Sequence, residues 1–138
     1  MRQKLHELLV QAPGQGLHEI TTSVVEWVEG TKIDTGLLTL FVRHTSASLL
    51  VQENAAPAAR RDIERYFAKV AAECEGYEHT DEGPDDMPAH LRAALTATSL
   101  AIPVAGGRPA LGTWQGIYLF EHRRASHRRR VALHLMGE

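Results

Sequence analysis

The segment Leu37–His44 limits most strongly what this chain can fold into. Its β-branched and aromatic content, confined to a short run, favours a strand over a helix. One face of that strand would carry Leu38, Leu40, Val42 and His44. We therefore expect a sheet with an imidazole at the end of an apolar row, directed towards the core or into a cavity at its rim.

Five further segments have the residue pattern of strands. They are Gln3–Val10, Ser48–Gln52, Ser99–Val104, Leu111–His122 and Arg129–Met136. Turn residues separate them, and the last two are expected to pair as a final hairpin. About six strands, grouped mostly as hairpins, predict an antiparallel sheet or sandwich.

Three helices are expected between these strands. The first follows a cap at Thr21 or Thr22 and stops at Gly30, and the third covers Met87–Thr98. The second has Pro57 in its first turn. Its apolar face consists of Ile63, Tyr66, Phe67 and Val70. The expected class is α+β, with one domain over residues 1–138.

Composition excludes several classes of function. The formal charge of the 138 residues is -2, so no overall attraction to nucleic acid or anionic membrane is expected. The sequence lacks an apolar run of the ~18 residues needed to cross a bilayer, and it lacks a secretory signal, which favours a cytoplasmic protein. Cys74 is the only cysteine, which excludes an intrachain disulfide and a thiolate metal cage.

The loop His79–His90 holds two imidazoles and four carboxylates. Carboxylates this close need helix caps, cationic partners or a metal ion. Capping of the third helix by Asp85 or Asp86 is one interpretation. A metal site is the other, and in a helix His90 would share a face with Asp86, four residues earlier.

The candidate metal ligands are His44, His79 and His90. Imidazoles beside carboxylates favour zinc or another divalent transition metal, whereas magnesium prefers oxygen ligands alone. If the three imidazoles converge, a catalytic metal with an open coordination position is expected. A nucleophilic Ser46 paired with His44 is disfavoured, because the sequence has no Gly-x-Ser-x-Gly elbow.

A second polar cluster contains five arginines between Glu121 and Val131. It is either a solvated turn or an anion site, since guanidinium groups bind phosphate oxygens in pairs. The aromatic residues Trp114, Tyr118 and Phe120 share a strand face typical of core or interface, which disfavours nucleic acid. A small phosphorylated metabolite therefore suits this cluster better.

Four motifs together give the chain a resemblance to the YjbQ family, also called UPF0047 or secondary thiamine-phosphate synthase. They are His44–Asn54, His79–His90, Ile102–Val104 and Leu111–His122, and the resemblance spans nearly the whole chain. It implies an α+β fold with a β-sandwich core, a homotrimer, and a polar pocket near the subunit interface. It further implies a weak enzyme that joins a pyrimidine diphosphate to a thiazole phosphate, with a physiological role that is unsettled in the family.

The resemblance, together with the residue patterns, assigns roles to the polar side chains. The expected catalytic residues are Glu53, Asn54, Asp86, Gln115 and Glu121. The expected phosphate-binding residues are Ser46, Thr113, Arg124, Arg128 and Arg130. Many relatives have cysteine where this chain has Ala47, so a mechanism that needs a thiol there is excluded. His122-Arg123-Arg124 also departs from the acidic-glycine turn that many relatives have.

The resulting hypothesis places a divalent metal on the three histidines and phosphate on the arginines, so that both stabilise a departing diphosphate. Two alternatives stay open. One is a trimeric protein that binds a metabolite or metal without turnover, and the other is a metal-dependent hydrolase.

Overall fold

Two antiparallel sheets account for most of the regular structure in the computed structural model, which describes residues 1–138. The strands are β1 (Arg2–Ala12), β2 (Gly16–Glu19), β3 (Gly36–Val42), β4 (Ala47–Glu53), β5 (Ser99–Ala105), β6 (Arg108–Pro109), β7 (Gln115–Glu121) and β8 (His127–Gly137). The helices are α1 (Thr21–Thr31), α2 (Pro57–Val70) and α3 (Asp86–Leu95). None of the three helices combines the length and apolarity that a membrane crossing demands.

The core lies between the sheets, as alternation along the strands predicts. The larger sheet has the order β1-β8-β3-β5-β6, and the smaller has the order β2-β7-β4. Leu38, Leu40 and Val42 of β3 are at most 1% exposed and face Leu49 and Ile117 of the smaller sheet in one cluster. Helix α1 adds to the same cluster from one side. The α+β class, the sandwich core and the three helices are therefore confirmed.

Helix α2 covers the outer face of the smaller sheet. Ile63 and Phe67, four residues apart, pack against Tyr118 and Phe120 of β7. Because α2 covers its outer face, β7 is buried on both sides over most of its length. No residue of α2 itself is fully buried. The predicted helical face is thus narrower than expected, since the other two apolar residues of the pattern are exposed.

The predicted final hairpin is wrong. Strand β7 pairs with β2 and β4, whereas β8 pairs with β1 and β3, so the chain crosses from one sheet to the other between Glu121 and His127. Alternation fixes which face a side chain occupies, and it does not fix the partner strand. The short strands β2 and β6 were not expected, and β7 begins at Gln115 rather than at Leu111.

Two predicted boundaries near the polar residues also change. Strand β3 ends at Val42, so His44 lies in the following loop and is only partly buried. Helix α3 ends at Leu95 rather than Thr98, because the carbonyl of Ala97 accepts a hydrogen bond from the Leu49 N–H at 2.6 Å. A bridge to β4 thus replaces the last helical turn.

A chain of buried polar side chains links the smaller sheet to α3. The Nε2 atom of His122 lies 2.8 Å from the Ser48 hydroxyl, which lies 2.6 Å from the Thr96 hydroxyl. His122 is 1% exposed. Burial, aided by the positive charges of Arg92 and Arg129, lowers the pKa of His122 to about 3. The imidazole is therefore neutral in the folded protein at ordinary pH.

This depressed pKa predicts a specific loss of stability in mild acid. The unfolded chain, with a His pKa of about 6.5, takes up a proton as the pH falls, and the folded chain does not. Between pH 7 and pH 5 the free energy of unfolding should fall by about 2 kcal/mol through this residue. Urea unfolding of the parent and of His122→Gln at both pH values measures this change in the free energy of unfolding. Equal falls in both proteins would contradict the buried neutral imidazole.

Candidate functional site

A polar cavity of about 340 Å³ opens where the β3–β4 loop, the start of α3 and the β7–β8 crossing meet. We call it the histidine cavity, and it is lined by Thr45, Ser46, His79, Glu82, Asp86, His90 and Arg123. Each of the three chain segments contributes at least one of these residues. The loop singled out from the sequence therefore does form one side of a cavity.

Asp86 is the centre of the cavity. Its Oδ2 atom lies 2.8 Å from His79 Nε2 and 3.0 Å from His90 Nε2. His90 reaches it from the next turn of α3, as the four-residue spacing predicts. The ligand atoms of these three residues all lie within 4.8 Å of one another, so together they could hold a metal ion.

The tautomer of His90 determines whether the group of His79, Asp86 and His90 can bind a metal ion. Its Nδ1 atom lies 3.0 Å from the carbonyl oxygen of Thr45, which only accepts hydrogen bonds, so Nδ1 carries a proton. In the neutral ring, Nε2 then directs a lone pair at the Asp86 carboxylate. That contact needs a cation between the two atoms, either a proton or a metal ion. A histidine that donates its second N–H to a carbonyl is also the usual arrangement around metals.

Arg123 holds the carboxylates of the loop in place. Its NH1 group donates to Asp86 Oδ1 at 2.9 Å, and its Nε donates to Asp85 Oδ2 at 3.0 Å. A third contact runs from NH2 to the carbonyl of Glu82 at 2.8 Å. With Asp86 Oδ1 held by Arg123, the other oxygen is directed at the histidines.

These contacts determine the charge states of the loop. Burial alone would raise the pKa of Asp86, but the hydrogen bond of His79, the interaction with His90 and the positive charge of Arg123 outweigh it and hold that pKa below its ordinary value. Burial alone would also raise the pKa of Asp85, but the hydrogen bonds from Arg123 and from the main chain of Arg124 outweigh it and hold that pKa below its ordinary value. Both groups are therefore carboxylates near neutral pH.

Helix capping does not account for the two aspartates. Asp85 occupies the N-cap position of α3, yet its side chain makes no capping hydrogen bond. Both carboxylates turn towards Arg123 instead, because a guanidinium group offers them charge-assisted bonds. Of the three expected explanations for the crowded loop, a cationic partner is thus present.

Glu121 and Ser46, predicted as catalytic and phosphate-binding residues, belong to a buried ion pair. Glu121 is fully buried and accepts from Arg129 Nε at 2.6 Å and from the main-chain N–H groups of His122 and Arg123, both at 3.0 Å. The NH2 group of Arg129 also contacts the Ser46 hydroxyl at 3.0 Å. Both oxygens of this carboxylate are hydrogen-bonded by the protein. Glu121 therefore supports the histidine cavity and does not line it.

Four other predicted residues lie at the opposite end of the smaller sheet. Glu53 pairs with Gln115 at one end of the β4–β7 ladder, whereas Ala47 pairs with Glu121 at the other. Glu121 lies six positions along the strand from Gln115, which is about 20 Å. Within one chain the residues Glu53, Asn54, Thr113 and Gln115 are therefore not part of the histidine cavity.

Their side chains have local structural contacts. Glu53 accepts from the N–H of Ala56 before α2 at 3.0 Å. Asn54 donates to Glu19 at 3.2 Å, and Gln115 accepts from the N–H of Gly112 at 2.7 Å. Thr113 is exposed in the loop before β7.

His44 does not belong to the metal-ligand group. Its Nε2 atom accepts a hydrogen bond from the N–H of Arg130 at 2.8 Å. Burial, followed by the charge of Arg129, lowers the pKa of His44, so the ring is a neutral acceptor there. Two of the three expected imidazoles therefore converge, and Asp86 takes the place predicted for the third.

The predicted phosphate-binding arginines do not line the histidine cavity. Arg124 pairs with Glu73, Arg130 lies 3.9 Å from Glu7, and Arg128 is exposed. Arg123 instead lines the histidine cavity, where those three arginines were expected. It was part of the recognised arginine cluster, but the crossing between sheets has no periodicity from which the direction of each side chain could be read.

The whole-chain comparisons agree on one family. The family model described as UPF0047 protein YjbQ-like matches residues 6–138. A UPF0047 protein of Synechocystis is 48% identical over 139 residues, which covers 99% of this chain and 94% of the relative. The UPF0047 protein YjbQ of Escherichia coli is 42% identical over 132 residues, with 95% and 96% covered.

Solved structures show the same fold. A YbjQ-like protein of unknown function from Sulfolobus solfataricus superposes with a TM-score of 0.88 at 24% identity, covering 99% of this chain and all of that one. A conserved hypothetical protein from Thermus thermophilus gives a TM-score of 0.82 at 33% identity, with 95% and 99% covered. Sequence and fold together show that the chain belongs to the YjbQ (UPF0047) family.

Proposed function

We propose that the histidine cavity binds a divalent transition-metal ion and a phosphorylated small molecule, and that the protein is a weak thiamine-phosphate synthase-like transferase. The observation that carries the proposal is the convergence of His79 and His90 on one oxygen of Asp86. The reaction class comes from the family resemblance. The proposed ligand residues come from the geometry of the cavity and not from the resemblance.

The donor set fits a transition metal better than magnesium. Two imidazole nitrogens and one carboxylate oxygen are the ligands of many zinc sites, whereas magnesium prefers oxygen and water. A proton on His90 Nε2 would satisfy the same contact with Asp86. It would then share the single oxygen Oδ2 with His79, since Arg123 binds Oδ1. A shared metal ion resolves that crowding, and Thr45 and Arg123 already orient two of the three ligands.

The proposed reaction joins two phosphorylated rings. The C–O bond between the pyrimidine methylene and its diphosphate breaks, with the electron pair leaving on pyrophosphate, and the thiazole ring nitrogen forms the new C–N bond. A metal ion bound here would supply positive charge to the leaving group. Arg123 adds a fixed positive charge at the cavity and keeps Asp86 aligned, and the Thr45 carbonyl keeps His90 in one tautomer.

We also propose that the protein assembles in the cytoplasm as a homotrimer through the outer face of the larger sheet. Alternation places five apolar side chains on that face, and they are 39% to 76% exposed: Leu5, Leu9, Leu37, Phe41 and Met136. Several exposed large apolar residues on one face of a sheet favour an interface there. A second copy of the chain is the occupant that the family resemblance favours.

Metal analysis of purified protein tests the ligand set. After incubation with zinc and desalting, the parent should retain about one ion per chain, and His79→Ala, His90→Ala and Asp86→Asn should each lose most of it. His44→Ala is the matched control, because His44 lies outside the ligand group, and it should retain the metal. Retention by His90→Ala equal to that of the parent would contradict the site.

The transferase proposal is tested by pyrophosphate release with both substrates present. Arg123→Lys should lower the rate roughly 10- to 100-fold, because lysine lacks the planar set of donors with which Arg123 orients Asp85 and Asp86. Arg128→Lys, an exposed change at the start of β8, should leave the rate unchanged. Release without the thiazole phosphate would identify a hydrolase instead. Ligand binding without any release would identify a binding protein.

Light scattering on a size-exclusion column tests the assembly. The parent should elute with three times the 15.3 kDa of one chain. Phe41→Glu should reduce the mass to that of a monomer, since it places a charge in the proposed interface. Tyr66→Glu, on exposed helix α2, is the control and should stay trimeric. A monomeric parent would contradict the proposal.

A further inference from the structure

We infer that a second cavity, separate from the histidine cavity, binds a small organic anion with one negative charge. It has a volume of about 310 Å³ and lies between α2, the start of β2, the end of β7 and α3. We call it the Arg92 cavity. The inference is independent of the proposed transferase function, because it rests on different side chains.

Arg92 is the first observation. Its residue surface is only 7% exposed, and its guanidinium makes no ion pair with any carboxylate in the structure. One hydrogen bond is formed, from NH2 to the carbonyl of Ala71 at 2.8 Å, and the Nε–H is buried without a partner. The Ala71 carbonyl ends α2 and offsets part of the charge. A buried guanidinium is nevertheless costly unless an anion pairs with it.

His122 is the second and independent observation. It lines the same cavity, is 1% exposed, and its Nδ1 atom is buried without a hydrogen-bond partner. The Ser48 hydroxyl can donate to Nε2 or accept from it, so Nδ1 presents either an N–H or a lone pair. Two buried side chains that each have a nitrogen without a partner thus line one cavity. An acceptor group on a ligand pairs with the Nε–H of Arg92 and favours the His122 tautomer that has its proton on Nδ1.

The remaining charges of the cavity are already engaged. Glu121 is paired with Arg129, and Arg65 with Asp62 at 3.0 Å. The Glu64 carboxylate accepts from the N–H of Leu17 at 2.8 Å and interacts electrostatically with the positive charge of Arg60. Arg92 is therefore the cation of the lining that has no carboxylate paired with it. A monocarboxylate balances it, whereas a phosphate dianion would bury an excess negative charge.

The apolar part of the lining indicates the body of the ligand. Phe67 and Phe120 meet edge to face, with ring centroids 5.4 Å apart, and both line the cavity. Flat apolar groups pack well against such rings. We therefore assign a compact carboxylate with an aromatic or short aliphatic body.

Calorimetric titration of the chelator-treated full chain with benzoate tests this inference. Benzoate should bind saturably, and benzamide, which has nearly the same shape without the charge, should bind roughly ten-fold more weakly or worse. Arg92→Met should weaken benzoate to a similar degree. Arg61→Met, on the exposed side of α2, should not change it. The same benzoate affinity in His90→Ala would place the ligand outside the histidine cavity.

Three results would overturn the inference. They are no benzoate binding by the parent, equal binding of benzoate and benzamide, or phenyl phosphate binding more tightly than benzoate. Arg92→Met also removes the contact to Ala71, so circular dichroism must show that it is folded. If it is not, the comparison of benzoate with benzamide on the parent protein decides the question without any variant. Failure of metal binding or turnover would leave this result unaffected.

Discussion

The buried ion pair between Glu121 and Arg129 is the interaction on which the rest of the structure depends. Glu121 ends β7 in the smaller sheet and Arg129 lies in β8 of the larger one, so the pair joins the two layers of the sandwich. Removing two charges from water costs several kcal/mol for each ion, and only complete hydrogen bonding offsets it. Two main-chain N–H groups and the Ser46 hydroxyl complete the network. A core substitution at either end would leave an unpaired buried charge.

The ion pair also explains how a cluster of cations and carboxylates can be organised at one end of the sheets. Because the chain turns from one layer to the other directly after Glu121, Arg123 is placed beside the start of α3. There its positive charge pairs with both Asp85 and Asp86 and offsets their mutual repulsion. His79 and His90 then contact an oxygen of Asp86 whose orientation Arg123 has already fixed. Rigid support of this kind is what a metal site requires of the residues around its ligands.

Much of the fold and part of the site followed from local patterns. Alternation in Leu37–His44 and in the later strands identified the buried faces, and the four-residue spacing of Asp86 and His90 correctly put them on one side of a helix. The pairing between distant strands could not be predicted from the sequence, because the same alternation is compatible with several partner strands. The final hairpin was wrong for that reason.

Side chains in loops and crossings were the other source of error. His44 was expected to continue the inward face of a strand, but the strand ends two residues earlier and the ring turns to the main chain of Arg130. Arg123 could not be separated from its neighbours, since no periodicity governs a loop. The residues around Gln115 were grouped with Glu121 because they share a motif, although a whole strand length separates them.

The crossing between β7 and β8 has a consequence for how this surface segment can vary. Loops usually tolerate insertions and deletions better than the elements they connect. Here two adjacent residues, His122 and Arg123, line two different cavities, and both are anchored through main-chain N–H groups to the same carboxylate. Adding or removing one residue directly after Glu121 would displace both cavities at once. The main-chain N–H of Arg124 is also held, by Asp85, so length changes are confined to the exposed residues Ala125 and Ser126.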